Sequence, residues 1–299
     1  MPELPEIEIV KQSLDKKVKF EKIKKVVVRN RSLRFKVPKN FESILKNKII
    51  KKISRKSKYL ILHLGNICCV IHLGMSGTIH IINSKNSNKH SNTSFYGSLN
   101  LPLKHNHIEF FLKNSQFVYN DPRRFGFFRI LKKENLLNFF KNIGPEPLDN
   151  QFNINYIENY FKNKKKNIKS FLLDQKFVSG IGNIYANEIL FICKINPLKK
   201  VKNLTKIDIK KIRYFSKLIL NRAIKKGGSS IRDFKNVEGK NGSYQNHFKV
   251  YQRENLKCLN KGCSGKIKKK FISKRSTFFC NNCQKKIIIL LTTLYSPVI

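Results

Sequence analysis

Met1-Pro2-Glu3-Leu4-Pro5-Glu6 opens the chain, and the rest of the sequence is interpreted outward from this stretch. If Met1 is removed, Pro2 carries a free secondary amine, and an α-amino group titrates near about pH 8, well below a lysine. Such an amine is partly unprotonated at neutral pH and can attack a sugar carbon, which leads to a Schiff base. Glu3 lies beside it as a candidate acid or base. The alternative is an ordinary chain start, with Pro5 in the first turn of a helix.

The composition predicts a polyanionic partner. The 299 residues include 62 Lys+Arg and 18 Asp+Glu, which gives a formal net charge of +44 and favours nucleic acid. The length allows two domains, and 40% hydrophobic residues allow a sizeable core. Neither a secretory signal nor an apolar run of about 18 residues is visible. With seven cysteines, this predicts a cytoplasmic, nucleoid-associated protein that binds metal rather than forming disulfides.

The first half of the chain reads as one helix followed by strands. Apolar residues recur at helical spacing over residues 5–18, which predicts an amphipathic helix. Short strand-like runs with turn signals between them then predict an antiparallel sandwich or barrel. The runs are Ile23 to Arg29, Tyr59 to Leu64, Ile67 to His72, Thr78 to Ile82, His107 to Leu112, Phe117 to Tyr119 and Phe127 to Leu131. Residues 83–104 are rich in Ser and Asn and are expected to form a long, mobile surface loop.

The pattern becomes helical after residue 134. Predicted helices cover Tyr156 to Phe161, Ile168 to Asp174, Asn183 to Cys193 and Ile207 to Lys225. The expected fold class is therefore α+β with several domains. They are a β domain at 1–134, a helical domain at 135–250, a zinc finger at 251–285 and an extra tail at 286–299. The segment Gly144-Pro145-Glu146-Pro147 marks the linker.

The C-terminal cysteines predict a metal site. Cys258-x4-Cys263 and Cys280-x2-Cys283, with sixteen residues between the two pairs, have the spacing of a four-cysteine zinc ribbon. Four thiolates leave no open position, so the expected Zn²⁺ is structural; the alternative is four reduced, buried cysteines. Residues 257–286 hold ten Lys/Arg and no acidic residue, which suits a phosphate backbone. The other cysteines lie in apolar runs and are expected in the core: Cys68, Cys69 and Cys193.

Two turns are candidates for DNA contacts. The turn at 177–182 opens onto a predicted helix that Asn183 can cap, and free N–H groups there make an anion site; a plain helix packing corner is the alternative. Asp121-Pro122-Arg123-Arg124-Phe125-Gly126 presents two cations and an aromatic that can enter a groove or wedge between bases. The alternative there is a basic hairpin turn over a core phenylalanine.

Together these motifs closely resemble the formamidopyrimidine-DNA glycosylase family, bacterial enzymes that excise 8-oxoguanine and ring-opened purines. The resemblance runs from Met1 to about Cys283 and rests on six motifs in order. They are the Pro-Glu-Leu-Pro-Glu start, Lys58-Tyr59-Leu60, His72-Leu73-Gly74-Met75-Ser76-Gly77, Pro122-Arg123-Arg124-Phe125-Gly126, Gly180-Ile181-Gly182-Asn183-Ile184-Tyr185-Ala186 and the zinc ribbon. The resemblance implies an N-terminal β-sandwich, a helix–two-turn–helix domain with a zinc ribbon, and DNA in the cleft between them.

The resemblance also implies catalytic roles. Pro2 matches the nucleophile that attacks C1′, and Glu3 matches the acid that protonates the leaving sugar. Lys58 matches a proton donor in β-elimination, and Arg275 matches the ribbon arginine credited in δ-elimination. A secondary amine gives an iminium intermediate, which allows elimination. The expected activity is therefore base removal followed by β,δ-lyase cleavage of the strand.

The resemblance implies DNA contacts as well. His105, Arg123 and Lys164 match residues that touch DNA, and Asn183 matches a phosphate contact. The trio that fills the gap left by the flipped base corresponds to Met75, Arg123 and Phe125. The expected partner is damaged double-stranded DNA, bound by a monomer that needs no membrane.

Three alternatives remain at this stage. One is the sister group that resembles endonuclease VIII and removes oxidised pyrimidines; Leu4, where that group has Gly, disfavours it. Another is a zinc-ribbon DNA-binding protein without catalysis, against which the intact catalytic matches argue. A generic basic ribosome-associated protein explains the charge but none of the motifs.

Overall fold

The first helix begins at the N-terminal motif. The computed structural model describes residues 2–83, 89–91, 103–113, 115–229 and 243–285. Helix α1 (Leu4–Val18) has Pro5 in its first turn, and the backbone N–H of Glu3 donates to Glu6 Oε2 at 2.9 Å. The helix predicted over residues 5–18 is therefore confirmed, and its buried face includes Val10 and Leu14.

Two antiparallel sheets follow. The first has the order β1 (Lys25–Val28), β7 (Asn106–Phe111), β8 (Ser115–Asn120), β5 (Thr78–Asn83) and β6 (Lys89–Ser91). The second has the order β2 (Lys52–Lys56), β3 (Tyr59–His63), β4 (Ile67–His72) and β9 (Phe127–Lys132). One hydrophobic core joins both sheets and α1, with members such as Leu14, Leu62 and Phe110. The predicted antiparallel sandwich is confirmed.

The long loop expected over residues 83–104 is wrong in part. Asn83 ends β5, and β6 pairs with β5 so that Lys89 lies opposite Ile82. A strand at the edge of a sheet needs few apolar residues, which is why the composition concealed β6. Residues 84–88 and 92–102 lie outside the described residues, as does the tail predicted at 286–299.

The second sheet is covered on both faces. Short helices α2 (Phe41–Leu45) and α3 (Leu136–Phe140) pack around the sandwich. Phe139 and Phe140 pack on the outer face of the second sheet against Ile61, Cys68 and Val70. This double burial explains the near-continuous apolar runs of β3 and β4. The three cysteines expected in the core are buried: Cys68, Cys69 and Cys193.

Four helices form the next region. They are α4 (Ile154–Phe161), α5 (Ile168–Leu173), α6 (Asn183–Ile192) and α7 (Lys206–Lys225), and each bound agrees with the sequence prediction within two residues. Asn153 caps α4 by accepting from the N–H of Tyr156 at 2.9 Å, and Thr205 caps α7. A separate hydrophobic core includes Phe177, Ile189 and Leu220. The domain limits at 134 and 250 stay predictions.

A two-stranded ribbon closes the described chain. Strands β10 (Ile267–Ile272) and β11 (Arg275–Cys280) pair in antiparallel register through a turn at Ser273 and Lys274. Both turn residues have positive φ, 50° and 59°, as a tight two-residue hairpin requires. Arg275 therefore stands at the tip. No helix in the described part of the chain is long and apolar enough to cross a membrane.

Candidate active site and DNA interface

The carboxylate of Glu3 lies on the N-terminus of α6. Its Oε2 accepts from the N–H of Gly182 at 2.7 Å and of Tyr185 at 3.3 Å, and its Oε1 accepts from Ile184 at 2.8 Å. Glu3 is 2% exposed. The first N–H groups of a helix are unsatisfied donors, and the helix dipole favours a negative charge there. The anion site predicted at this turn is thus filled by a side chain from the start of the same chain.

Two glycines permit this approach. A Cβ on Gly182 would collide with the carboxylate of Glu3, and a Cβ on Gly180 would lie 2.6 Å from Cδ1 of Leu4. Gly180 also has φ +89°, and its carbonyl accepts from the N–H of Leu4 at 3.0 Å. The glycine turn and the N-terminal motif therefore fit together as one unit, which places Pro2 beside the start of α6.

A buried lysine faces this carboxylate. Lys58 is 7% exposed and follows Ser57 in the turn between β2 and β3. Burial raises the pKa of Glu3, and the charge of Lys58 opposes that rise. Burial lowers the pKa of Lys58; Glu3 and Glu6 act against this, and Arg275 adds to it. Both groups are therefore shifted toward their neutral forms, the condition for proton transfer near neutral pH.

The turn that carries Lys58 is fixed by the linker. The N–H of Ser57 donates to Glu146 Oε1 at 2.6 Å. Arg55, whose side chain is 9% exposed, bridges Glu8 at 2.8 Å and Glu146 at 2.8 Å. Because Glu8 belongs to α1, this network sets the position of Lys58 relative to the N-terminal motif.

Glu6 joins the N-terminus to the end of α7. Its Oε1 accepts from the hydroxyl of Tyr185 at 2.7 Å and from the N–H and Oγ of Ser229 at 2.9 Å and 2.8 Å. Its Oε2 holds the N–H of Glu3. The backbone directly after Pro2 is therefore anchored to the helical region.

Arg275 is presented by a firmly attached hairpin. Buried Lys169 of α5 donates from Nζ to the carbonyl of Ser276 at 3.1 Å and to Thr277 Oγ1 at 2.6 Å. The Thr277 hydroxyl in turn donates to the carbonyl of Arg275 at 3.2 Å. Burial lowers the pKa of Lys169 to about 7, and Arg275 acts in the same direction. No residue pattern distinguished Lys169, which follows a run of surface lysines, so the sequence interpretation missed it.

Asn183 does not cap α6, contrary to the sequence interpretation. Gly182 occupies the N-cap position, and Asn183 is the first helical residue. Its Nδ2 donates to the carbonyl of Ser276 at 2.9 Å. Tyr251, also missed, interacts with the side chain of Asn183 and with the charges of Glu3 and Arg275. Glycine occupies the N-cap position because a Cβ at residue 182 would overlap the carboxylate of Glu3.

The structure brings the predicted wedge residues together. Met75 is 36% exposed and Phe125 is 43% exposed, and the Arg123 guanidinium lies 4.6 Å from the centre of the Phe125 ring. A Cβ on Gly74 would lie 2.5 Å from the N of Gly126, so the turns that carry these residues touch.

Buried Asp121 holds the two turns in contact. It accepts from Ser76 Oγ at 2.5 Å, from Tyr119 Oη at 2.8 Å and from the N–H of Gly126 at 3.0 Å. The sequence motif contained Asp121, but its organising role required the fold.

The remaining predicted DNA contacts lie at the periphery. His105 ends the short turn before β7, and its carbonyl accepts from the N–H of Asp121 at 3.0 Å. Lys164 is exposed beyond α4, with its Nζ 5.9 Å from the centre of the Tyr160 ring. The sequence interpretation gave no role to His72, whose Nδ1 accepts from the N–H of Gly74 at 3.0 Å. Burial, and after it the charges of Lys58 and Arg34, lower the pKa of His72 to about 4, so the ring is neutral and carries its proton on Nε2 while Nδ1 accepts.

Four cysteines are positioned to bind a metal ion. The sulfur atoms of Cys258, Cys263, Cys280 and Cys283 all lie within 4.8 Å of one another. The Cys258–Cys283 and Cys263–Cys280 sulfur pairs are 3.7 Å and 3.8 Å apart. A tetrahedron with metal–sulfur bonds of about 2.3 Å requires sulfurs about 3.8 Å apart. The cluster therefore fits a tetrahedral thiolate site and not disulfides.

Comparisons with known proteins agree with this geometry. Residues 1–128 match the formamidopyrimidine-DNA glycosylase N-terminal domain model, and residues 143–235 match the H2TH domain model of the same enzymes. A formamidopyrimidine-DNA glycosylase of Wolbachia pipientis subsp. Culex pipiens is 40% identical over 95% of this chain and 100% of its own length. One from Legionella pneumophila, strain Philadelphia 1, is 39% identical over 95% of this chain and 98% of its own.

Solved structures give the same result. A Lactococcus lactis Fpg mutant in complex with DNA containing Fapy-dG has a TM-score of 0.85 and is 32% identical over 95% of this chain and all of that one. The Lactococcus lactis Fpg with DNA containing an abasic site has a TM-score of 0.83 at 32% identity, with the same coverage. Near-complete coverage by sequence and by structure places the chain in the formamidopyrimidine-DNA glycosylase family.

Proposed function

We propose that this protein is a bifunctional DNA glycosylase and lyase of base excision repair that removes oxidised purines, 8-oxoguanine and formamidopyrimidines, from duplex DNA. The observation that carries the proposal is the buried Glu3–Lys58 pair beside Pro2, faced by Arg275. The related enzymes are named for formamidopyrimidine, and a structural neighbour holds Fapy-dG DNA. The charge of +44 suits a DNA partner.

The proposed reaction starts with an extruded nucleotide, because C1′ is inaccessible inside the stacked duplex. Met75, Arg123 and Phe125 would fill the space it leaves; two of these side chains are hydrophobic and substantially exposed. The lone pair of the Pro2 nitrogen then attacks C1′, and the base leaves with the electron pair of its bond to C1′ and takes up the proton that the amine loses. Glu3 gives a proton to the sugar ring oxygen as the bond from that oxygen to C1′ breaks, which opens the ring and leaves the Pro2 iminium; the raised pKa of Glu3 supports this role.

Strand cleavage follows from the covalent intermediate. The Pro2 iminium acidifies the C2′ proton, whose removal expels the 3′ phosphate; a second elimination expels the 5′ phosphate. Lys58 is buried against Glu3, so its amine can move a proton in the first elimination. Arg275, on the anchored hairpin tip, would hold the phosphate in the second.

The remaining proposed contacts position the duplex. Asn183 donates to the carbonyl of Ser276, the residue that follows Arg275. Asn183 and Arg275 can therefore bind backbone phosphates from the same side of the cleft. His105 and Lys164 add donors from the rim. In the ribbon, we assign one structural Zn²⁺ to Cys258, Cys263, Cys280 and Cys283, since the sulfur spacing suits tetrahedral zinc. Bound zinc would fix the ribbon that carries Arg275.

Single-turnover cleavage of three matched duplexes tests the substrate. The first duplex holds one 8-oxoguanine opposite cytosine, the second holds one oxidised pyrimidine, and the third holds no lesion. We expect the 8-oxoguanine strand to be cut fastest, with phosphate at both new ends. Glu3→Gln should lose this cutting, while Lys176→Met, at an exposed lysine, should retain it. Preference for the oxidised pyrimidine would assign the protein to the sister specificity, and binding without cutting would refute the enzymatic proposal.

A further inference from the structure

A cavity lies in the helical region, between α6, α7 and the segment at 244–249. It has a volume of about 450 Å³, within the range of about 300–1,000 Å³ typical of ligand pockets. Its walls are largely apolar and aromatic: Ile192, Phe215, Leu218, Ile219 and Tyr244. Tyr244 is 7% exposed and Ile219 is 4% exposed, so they form a floor, whereas Leu218 is only half-buried.

Four cations surround this apolar floor: Arg222, Lys225, Lys226 and Lys249. All four are exposed. Arg222 and Lys225 belong to the last turn of α7, where cations also complement the helix dipole. Lys249 comes from a different segment, so the dipole of α7 does not account for its position. Together the four make a cationic rim around an apolar depression.

The cavity is separate from the candidate active site. Helix α6 begins at Asn183, next to the carboxylate of Glu3, and ends at Ile192, which lines the cavity. Nine residues of helix correspond to about 13 Å of rise. A ligand in the cavity therefore leaves the cleft that contains Glu3 and Arg275 open.

Among the described residues that line the cavity, Glu188 is the one carboxylate, and it is already engaged. Glu188 Oε1 accepts from the backbone N–H groups of Val250 and Tyr251 at 3.0 Å and 2.8 Å, and Oε2 accepts from the backbone N–H of Lys249 at 2.9 Å. With Glu188 engaged, no described lining carboxylate is left to accept from the amino groups of a nucleobase, and a strand of DNA needs an extended groove rather than a single depression. An acidic peptide with one large apolar side chain can pair its carboxylates with the cationic rim and bury that side chain on the apolar floor.

We propose that this cavity, which we call the α6–α7 pocket, is a docking site for an acidic peptide segment of a partner protein. One aromatic side chain of the partner enters between Phe215 and Tyr244. Flanking carboxylates meet the cationic rim. The pocket thus recruits a protein partner while the cleft holds DNA.

Fluorescence anisotropy of labelled peptides tests the proposal. The probe is an eight-residue peptide with one Phe flanked by Asp residues, and the charge-matched control has Ala in place of Phe. Both are titrated with the full-length protein in 150 mM salt, which screens exposed charges beyond about 8 Å. We expect the Phe peptide to bind at least tenfold more tightly. Equal affinities would mean simple attraction to a basic protein and would overturn the proposal.

Variants locate the binding site. Arg222→Glu with Lys226→Glu should weaken binding of the Phe peptide at least tenfold. Lys206→Glu with Lys210→Glu, the same charge change at the other end of α7, should leave binding nearly unchanged. Leu218→Lys should also weaken binding although it adds a positive charge. Lesion cleavage should stay at the wild-type rate in every variant.

Competition separates the pocket from DNA surfaces. Lesion-containing duplex should not displace the Phe peptide, and neither should a free nucleotide. Displacement by either would assign the cavity to nucleic acid and overturn the proposal. Equal weakening by both charge-reversal pairs would overturn it as well.

Discussion

Lys169→Met tests whether Lys169 positions Arg275. The substitution keeps the length and the apolar stem but removes the amine that binds Ser276 and Thr277. The carbonyl of Ser276 keeps the donor from Asn183, and the Thr277 hydroxyl still donates to Arg275. No acceptor is left wholly unpaired, so the fold should survive while the hairpin tip becomes less well held.

The size of the effect follows from the two lost hydrogen bonds. Each contributes about 0.5–1.5 kcal/mol net, so their loss weakens the tip by roughly 1–3 kcal/mol. If that energy holds Arg275 in place for the second elimination, this step slows about 5- to 150-fold. Lys169 is 0% exposed, so removing a buried amine offsets part of the cost to the fold. The free energy of unfolding should therefore change by less than about 2 kcal/mol.

Lys169 also predicts a pH dependence. Its pKa is about 7 in the folded protein against an ordinary value of 10.5. The unfolded chain therefore binds more protons between these values, and the contribution of this group to stability falls as the pH drops from 10.5 to 7 and is flat below. Below pH 7, a charged Lys169 also repels Arg275. The rate of elimination by the wild-type protein should rise with pH through an apparent pKa near 7. Lys169→Met should lack this rise.

The assay is single-turnover cleavage of a duplex with a preformed abasic site, followed from pH 6 to 9 with β and δ products resolved on a gel. Lys176→Met is the matched control, because Lys176 is exposed just beyond α5. Thermal unfolding across the same pH range monitors the fold. A wild-type rate of δ-product formation in Lys169→Met, or an unchanged pH profile, would refute the positioning role.

Other parts of the site give further predictions. Glu3→Gln places an amide against the N–H groups of Gly182 and Ile184 and removes the acid, so base excision should fall about 10²–10⁴-fold while cleavage at a preformed abasic site falls less; equal losses on the two duplexes would contradict the acid role. Asp121→Asn forces an amide donor against one of two donor pairs, either Tyr119 with Gly126 or Ser76 with Arg123, and should cost roughly 1–3 kcal/mol of stability, with a smaller affinity difference between lesion and undamaged duplex in a binding titration. Removing the ribbon metal with a chelator, with zinc counted by mass spectrometry, should abolish δ-elimination; full activity of the metal-free protein would exclude a role for the ribbon.

Local patterns were enough to predict the elements with strong periodicity. Helix α1 and helices α4 to α7 follow the apolar spacing closely, and strand Ile67–His72 was predicted with its observed bounds. Strand β2 was missed because Lys52–Lys56 carries three cations in five residues, and one face of it suffices for the core.

The interior of the site required the fold. The glycine turn predicted an anion site, but nothing local indicated that Glu3 would fill it from 179 residues away. The same holds for the bonds of Lys169 to Ser276 and of Asp121 to Ser76, which join segments far apart in the chain. Cap prediction failed at Asn183 because the rule considers only local hydrogen bonding, whereas the space next to Glu3 admits only glycine.

Borohydride trapping tests the central claim most directly. The purified protein is incubated with duplex DNA that holds one 8-oxoguanine opposite cytosine, borohydride is added, and the crosslinked peptide is mapped by mass. The account predicts a covalent adduct on the nitrogen of Pro2 in a chain that lacks Met1. Pro2→Gly should bind the same duplex with far less cleavage. An adduct on any lysine, or cleavage without an adduct, would contradict the assignment of Pro2 as the nucleophile.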